Sequence, residues 1–320
     1  MLLRSQAMHK ALLIYNPFSG FRRRHRVEQV EAAAEELRRA GVEAKVLPSR
    51  GPSKAGAQAR EAIDAGFDTI FACGGDGTIH DVLQGMVGQT QTALGIVPLG
   101  TANALAADLQ IPRNPILAIQ RQLQYQPKTI AAGVIEHCQQ EHPKHRRYFT
   151  VMAGVGPDAL LVYSLSAEAK ARWGVAAYVL NALWEYLRYR HAPYEMTITH
   201  GDGTNETFCT AQVMAVRIHN FGGPLKKFAR GAHLDRSDLR VVVFRGGVRF
   251  SYPAYLLSAL FGLRVNIPGV ELRDAKEILC RPIAGQEDRR IYCEADGEVL
   301  WRLPTRLSIL PGAFSLLMPE

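Results

Sequence analysis

Thr69-Ile70-Phe71-Ala72-Cys73-Gly74-Gly75-Asp76-Gly77-Thr78 is the stretch on which the fold turns. A short run of β-branched, aromatic and small apolar residues enters a glycine turn, and helix-period sequence follows through Met86. A strand that ends on glycines and opens a helix is the building unit of a parallel sheet. The pattern repeats on both sides. Upstream, the strand Ala11–Tyr15 ends at Asn16-Pro17-Phe18-Ser19-Gly20, and a helical stretch from Val27 to Ala40 puts Val27, Val30, Ala34 and Leu37 on one face before Gly41 closes it. A second strand, Val42–Leu47, leads through Pro48-Ser49-Arg50-Gly51-Pro52 to a helix over about Lys54–Ala65. Downstream, the strand Leu94–Val97 ends at Pro98-Leu99-Gly100-Thr101-Ala102-Asn103, ahead of a short helix. Strands alternating with helices predict a parallel sheet covered on both faces with right-handed crossovers.

The pattern changes near Pro127. Segments at 129–135, 148–153, 194–199, 207–218, 239–245, 270–279, 289–294 and 306–310 are rich in Val, Ile, Tyr and Phe or alternate, as antiparallel strands do. A long helix over about Ala167–Tyr189 and a shorter one over about Pro253–Leu263 interrupt them. The expected organisation is an α/β domain over residues 1–128 and a β-rich domain over 129–320, with the last strand free to return to the first domain.

The 320 residues carry 38 Lys and Arg against 30 Asp and Glu, a formal charge of +8. That charge is even: 15 basic and 11 acidic residues up to 128, and 23 and 19 beyond, so no basic tail marks a nucleic-acid binder. Its densest run, Arg22-Arg23-Arg24-His25-Arg26, reads equally well as a solvated helix start. Cys73, Cys138, Cys209, Cys280 and Cys293 are scattered without a CxxC pair, which argues against zinc and for reduced thiols. The first ten residues lack the apolar region of a signal peptide, and no apolar run reaches the roughly 18 residues of a spanning helix. A cytoplasmic protein, at most resting on a membrane surface, is expected.

Three glycine turns after three separate parallel strands converge where open α/β sheets bind ligands, outside the carboxyl ends of the strands. Glycines let backbone N–H groups approach phosphate oxygens, and helices opening at Thr78 and Thr101 add donors. Ser19, Thr78 and Thr101 offer hydroxyls, while Asn16 and Asn103 can brace loops or reach a nucleotide.

These residues resemble the diacylglycerol kinase catalytic-domain family, which includes bacterial lipid kinases and sphingosine kinases. Gly74-Gly75-Asp76-Gly77-Thr78 sits between an Asn-Pro-x-Ser-Gly turn and a Pro-x-Gly-Thr-x-Asn turn, in family order. Ala153-Gly154-Val155-Gly156-Pro157-Asp158-Ala159 is similar to the family's Gly-x-Gly-Phe-Asp-Ala segment, and Glu294-Ala295-Asp296-Gly297-Glu298 to its Asp-Gly-Glu signature. The resemblance implies an NAD kinase/diacylglycerol kinase-like α/β domain followed by an antiparallel β-sandwich, with ATP between them and Mg2+ as the accompanying cation. It implies ATP contacts at Asn16, Ser19, Gly20, Ser49, Gly74, Gly75, Asp76, Gly77, Thr78, Gly100, Thr101 and Asn103. Asp158 falls in the substrate segment. Asp296, beside Glu298, matches the acid proposed as base in bacterial lipid kinases; Asp76 matches the acid given that task in sphingosine kinases and metal or nucleotide contacts elsewhere. We read Asp296 as the base and Asp76 as lying near Mg-ATP. Outside the family context, Asp296-Gly297 is an ordinary hairpin turn and Asp76 a helix N-cap.

The sequence departs from the family at three points. Ala104 follows Asn103 where relatives carry an acid. Leu234-Asp235-Arg236-Ser237-Asp238-Leu239 stands where some relatives hold a structural Mg2+ on a Leu-Asp-Asp-Gly-Leu-like segment, and an arginine there repels a divalent cation. Pro157 replaces a phenylalanine.

For the lipid, Trp173, Ala177, Leu180, Leu183, Trp184 and Leu187 form a helical stripe that reads as core or as a tunnel. Arg188, Arg190, Lys226, Lys227 and Arg230 can meet anionic headgroups. The resulting expectation is an ATP-dependent kinase of a lipid alcohol, working in peripheral contact with a membrane; a homodimer is left open. The competing readings are a catalytically degenerate nucleotide- or lipid-binding protein and an NAD kinase-like enzyme.

Overall fold

The computed structural model describes residues 8–17, 25–139, 145–157, 192–222, 228–245, 248–261, 263, 266–287 and 289–319. The chain divides into two compact units. The first joins Met1–Ala132 with Asn220–Gly222 and Leu310–Glu320; the second joins Gly133–His219 with Gly223–Ile309.

The first unit is built on β1 (Lys10–Tyr15), β2 (Glu43–Pro48), β3 (Thr69–Gly74) and β4 (Gln89–Pro98), all parallel, in the order β2-β1-β3-β4. Every residue of β3 is buried, as a central parallel strand with both faces covered requires. The carboxyl half of β16 (Thr305–Met318) adds alongside β4, also parallel.

Helices α1 (Arg26–Arg39), α2 (Ala55–Asp64), α3 (Asp76–Met86), α4 (Ala104–Asp108) and α5 (Pro115–Gln122) complete this unit. Gly56 of α2 and Gly85 of α3 touch backbone to backbone: a Cβ on Gly85 would lie 1.9 Å from the Gly56 carbonyl oxygen. The Asp81 carboxylate of α3 accepts from the first amides of α2, Ala55 N at 2.9 Å and Gly56 N at 3.4 Å. The inner face of α1 differs from expectation. Arg26, Val30, Ala33, Ala34 and Leu37 are buried, whereas Val27 is 48% exposed. The spacing 26, 30, 33, 37 is the stripe that faces the sheet, and it begins with an arginine.

The second unit packs two antiparallel layers around one core. One layer runs β12 (Val270–Ala275), β11 (Leu239–Phe244), β10 (Gln212–Val216), β7 (Met152–Val155), β14 (Tyr292–Ala295) and β15 (Glu298–Arg302). The other contains β8 (Tyr194–Thr199), β9 (Asn205–Thr210), β13 (Glu277–Arg281) and the first half of β16, with β5 (Gln126–His137) pairing β6 (Arg146–Phe149). Phe149, Tyr194, Met196 and Ile278 from one layer meet Val155, Val213, Val241 and Cys293 from the other, forming a β-sandwich. Two of the expected strands are in fact pairs. The stretch 207–218 belongs to β9 up to Thr210 and to β10 from Gln212, and 270–279 to β12 up to Ala275 and to β13 from Glu277. In both cases the chain changes layers at a single residue, Ala211 or Lys276. The second apolar helix, α6 (Val248–Leu260), begins five residues ahead of Pro253.

Among the described residues no helix is long and apolar enough to cross a membrane. None of the five cysteines, all among the described residues, is in a disulfide.

Candidate functional site

The strand register aligns the predicted turns. Tyr15 pairs with Pro48 on one side and Cys73 on the other, and Gly74 pairs with Pro98, so the four parallel strands end level. Asn16, Ser49, Gly74-Gly75 and Leu99-Gly100 therefore stand along one edge of the sheet. Because β1 lies between β2 and β3, this edge contains the point where strand order reverses, the preferred ligand position in open α/β sheets.

Two of the turns interlock. A Cβ on Gly100 would lie 2.4 Å from the Gly75 Cα and 2.7 Å from Asn103 Oδ1, and one on Gly74 would lie 2.2 Å from Thr78 Oγ1. Gly100 is required by turn-against-turn packing and Gly74 by the close approach of Thr78, as well as by any approaching anion. The Asn103 side chain, 3% exposed, accepts from Gly100 N and donates to Gly100 O, both at 2.9 Å, so it clamps its own turn. Its backbone sits in the left-handed region, φ 55.

Asp76 ties the second turn to the third: its carboxylate accepts from Asn103 N at 2.9 Å and Ala104 N at 2.7 Å. The N-cap of α3 is Gly75, and Asp76 caps the start of α4 instead. Thr78 is buried behind Gly74, while Gly77 and Thr101 are exposed. The Ser49 hydroxyl, in a residue 9% exposed, donates to Gly51 O at 2.9 Å and closes its own turn. Ser19 and Gly20 lie outside the described residues, as do Arg22, Arg23 and Arg24.

Arg26 was not among the expected site residues. It is 2% exposed and donates from Nη1 to the Leu99 carbonyl at 2.7 Å, holding the fourth-strand turn from below. Burial lowers its pKa from the ordinary arginine value. The i, i+4, i+7, i+11 relation of Arg26 to Val30, Ala33 and Leu37 was the available signal. Asn220 was also missed: its N and Nδ2 donate to Asp108 Oδ1 and Ala107 O at the end of α4, at 3.0 and 3.2 Å.

In the second unit, Asp296 and Gly297 form the tight turn between β14 and β15, with φ 47 and 86. Two consecutive left-handed residues make the turn type that suits a right-twisted hairpin. The turn carries more than a hairpin needs. Asp296 is 9% exposed, and its carboxylate accepts from three successive backbone amides: Thr150 N at 3.0 Å on Oδ2, and Val151 N at 2.9 Å and Met152 N at 3.0 Å on Oδ1. Its own amide donates to Met152 O at 2.8 Å. Glu294, fully buried, accepts from Gly297 N at 3.0 Å and closes the turn from the other side. Glu298 is exposed on β15. Gly154 pairs with Glu294 across β7 and β14, so the Ala153–Gly156 segment and the Asp296 turn are neighbours. Pro157 is buried; Asp158 lies outside the described residues.

The Leu234–Leu239 loop is held by guanidinium groups. Arg236 donates to Asp238 from Nε at 2.6 Å and Nη2 at 3.0 Å, and its Nη2 lies 2.8 Å from Asp274 Oδ1. Arg217, 1% exposed, donates to the carbonyls of Leu234 and Arg236 at 2.8 Å. Burial takes the Arg217 pKa down to about 10. Asp238 is thus engaged in an ion pair. Among the described residues, no group of three or more His, Cys, Asp or Glu is placed to hold a metal.

A parallel sheet ending level on interlocked glycine turns, together with a β-sandwich, defines the fold class shared by NAD kinases and diacylglycerol kinases. Residues 10–135 match the diacylglycerol kinase catalytic domain, and residues 150–318 match the YegS C-terminal NAD kinase beta sandwich-like domain. A diacylglycerol kinase of Bacillus subtilis is 32% identical over 317 residues, 98% of this chain and 97% of that one. A YegS-like protein of Chromohalobacter salexigens, named a probable lipid kinase, is 28% identical over 266 residues, 82% of this chain and 79% of that one. A solved structure of a diacylglycerol kinase from Bacillus anthracis has the same fold, with a TM-score of 0.72 at 22% identity and 98% of both chains covered. The chain belongs to the diacylglycerol kinase catalytic-domain family, and the family is one of kinases.

Proposed function

We propose that this chain transfers the γ-phosphate of ATP to the hydroxyl of a lipid alcohol of the diacylglycerol or sphingoid type. The observation that carries the reading is the level edge of glycine turns: phosphoryl transfer is mainly positioning and charge neutralisation, and that edge offers backbone donors to an anion at a strand-order reversal. The Asn16–Gly20, Gly74–Thr78 and Gly100–Asn103 turns would take the nucleotide. Asp296 would accept the proton of the lipid hydroxyl as its oxygen attacks the γ-phosphorus and ADP leaves. Mg2+ commonly binds through substrate phosphates and one or two carboxylates, a donor set that ATP and Asp76 would supply together. The relatives named as lipid kinases support the lipid acceptor, and a lipid acceptor implies action at a membrane surface, from the cytoplasmic side. The test is incubation of the purified protein with labelled ATP, Mg2+ and a lipid extract, with identification of the product. ATP binding without transfer to any lipid refutes the reading, and transfer to NAD would replace it.

A non-catalytic reading draws on the same turn, since three amides on Asp296 also suit a purely architectural carboxylate. Comparison of Asp296→Asn with the wild type separates the two.

A further inference from the structure

The large hydrophobic side chains that stand exposed among the described residues are Val27, Leu117, Phe250, Leu257, Phe261 and Leu263, and four of these six belong to α6 and the residues just after it. Phe250, Ala254, Leu257 and Phe261 follow the spacing i, i+4, i+7, i+11, which draws one stripe along the helix. Phe250 is 73% exposed, Leu257 54% and Phe261 70%, and Ala254 is exposed between them.

The opposite face is already committed. Tyr252 and Tyr255 pack edge-on against Phe244 of β11 at 5.5 and 5.7 Å, and Tyr255 packs against Phe228 at 5.5 Å. The Tyr255 hydroxyl donates to the Phe228 carbonyl, and Ser251 and Ala259 are buried. With tyrosines pinned on one side, the helix cannot roll its stripe inward. An apolar row held facing outward marks an interaction surface.

The structure assigns this stripe to the surface of an anionic phospholipid bilayer; the inference rests on the lipid-kinase reading for its setting. Two observations select that partner. From Leu239 to Val270 the sequence contains four arginines and no Asp or Glu. Arg240 and Arg245 are committed to Asp274, Glu206 and Glu271, and Arg249 and Arg264 stand in the sequence at either end of the stripe, a basic balance suited to anionic headgroups. Apolar side chains with flanking arginines are the elements of interfacial attachment: the rings enter the acyl boundary and the cations stay at phosphate level. The four large side chains also offer only a few hundred Å², short of the roughly 800 Å² per partner in a stable protein interface, which disfavours a second copy of the chain as the occupant.

The test uses the full chain, with phosphatidylcholine vesicles containing or lacking phosphatidylglycerol. Partitioning by sedimentation is compared for the wild type, Leu257→Glu/Phe261→Glu, and the uncharged Leu257→Gln/Phe261→Gln. Both doubles are expected to partition into the anionic vesicles at least about tenfold more weakly than the wild type. Their melting temperatures, and their phosphorylation of a short-chain acceptor dissolved as monomers, should be unchanged. Equal partitioning of wild type and variants overturns the proposal. So does a wild-type dimer in solution that both doubles dissociate, since the stripe would then belong to a second copy. Vesicle binding is read without any phosphate transfer, so failure of the lipid-kinase reading and failure of this one give different results.

Discussion

Asp296→Asn separates a catalytic carboxylate from an architectural one, because the geometry sets the cost of each role. The carboxylate accepts three backbone amides, at 3.0, 2.9 and 3.0 Å. An asparagine carbonyl can keep the two on Oδ1, from Val151 and Met152. Its NH2 group then faces the Thr150 amide, donor against donor, in a residue 1% exposed. One charge-assisted bond is lost, a buried amide is left without an acceptor, and two bonds fall from charged to neutral strength. Together these cost about 3 kcal/mol. The alanine variant forfeits all three and should be less stable still. The assay has two parts: urea unfolding of wild type, Asn and Ala variants, and lipid phosphorylation well below every unfolding transition. If Asp296 is the base, the Asn variant should lose about 10²–10⁴-fold in kcat, while ATP affinity, which the proposed function assigns to the glycine turns, stays within about twofold. Wild-type turnover in the Asn variant refutes the catalytic assignment. An unfolding midpoint equal to wild type refutes the hydrogen-bond reasoning.

Gly100→Ala forces a Cβ to within 2.4 Å of the Gly75 backbone, so the interlocked turns must part; a cost of about 1–3 kcal/mol and ATP binding weakened by an order of magnitude or more are expected by calorimetry, and unchanged affinity would show that the turns do not receive the nucleotide. Arg236→Ala removes the pairs to Asp238 and Asp274, and should lower stability by about 1–2 kcal/mol. In the wild type without nucleotide, millimolar Mg2+ or a chelator should leave the melting temperature alone; a rise with Mg2+ would reveal a metal site in that loop. Glu206 is held below the ordinary carboxylate range, chiefly by the hydrogen bond from Arg245. Its contribution is therefore present above the unfolded pKa of about 4.3 and fades as pH falls below it. Screened at a half-exposed site, it amounts to at most about 1 kcal/mol. The urea midpoints of wild type and Glu206→Gln should differ at pH 7 and converge near pH 3, and a gap that persists in acid would contradict the ion pair.

The alternation of strands and helices in the first unit could be read directly because each strand is closed by a glycine or proline signal, as at Gly74-Gly75 and Pro98-Leu99-Gly100. What escaped reading there was polar. Arg26 occupies a position on the buried stripe of its helix and donates to the Leu99 carbonyl; the helical spacing marks the position but not the polar partner. The helix α5 was missed although Asn114, just ahead of Pro115, caps it by accepting from the Ile116 and Leu117 amides; a cap and a proline outweigh eight residues of weak pattern. In the second unit, β9–β10 and β12–β13 read as single strands because a change of layer at Ala211 or Lys276 needs no turn residue. At the candidate site, glycine and acid motifs pointed to the turns that carry Asp76 and Asp296, but not to the hydrogen bonds of those carboxylates. Those depend on residues 27 or 28 positions away for Asp76 and about 145 away for Asp296.

The anchorage of Asp296 also bears on how the chain can vary. Three of its donors are main-chain amides of Thr150, Val151 and Met152, a group common to nineteen of the twenty amino acids, and the Thr150 hydroxyl adds a longer contact at 3.5 Å. As far as those amide bonds are concerned, drift at the three positions is silent, with one exception. A proline at any of them deletes a donor outright, so substitution libraries across 150–152 should show a narrow, proline-shaped hole where packing alone would leave a graded one.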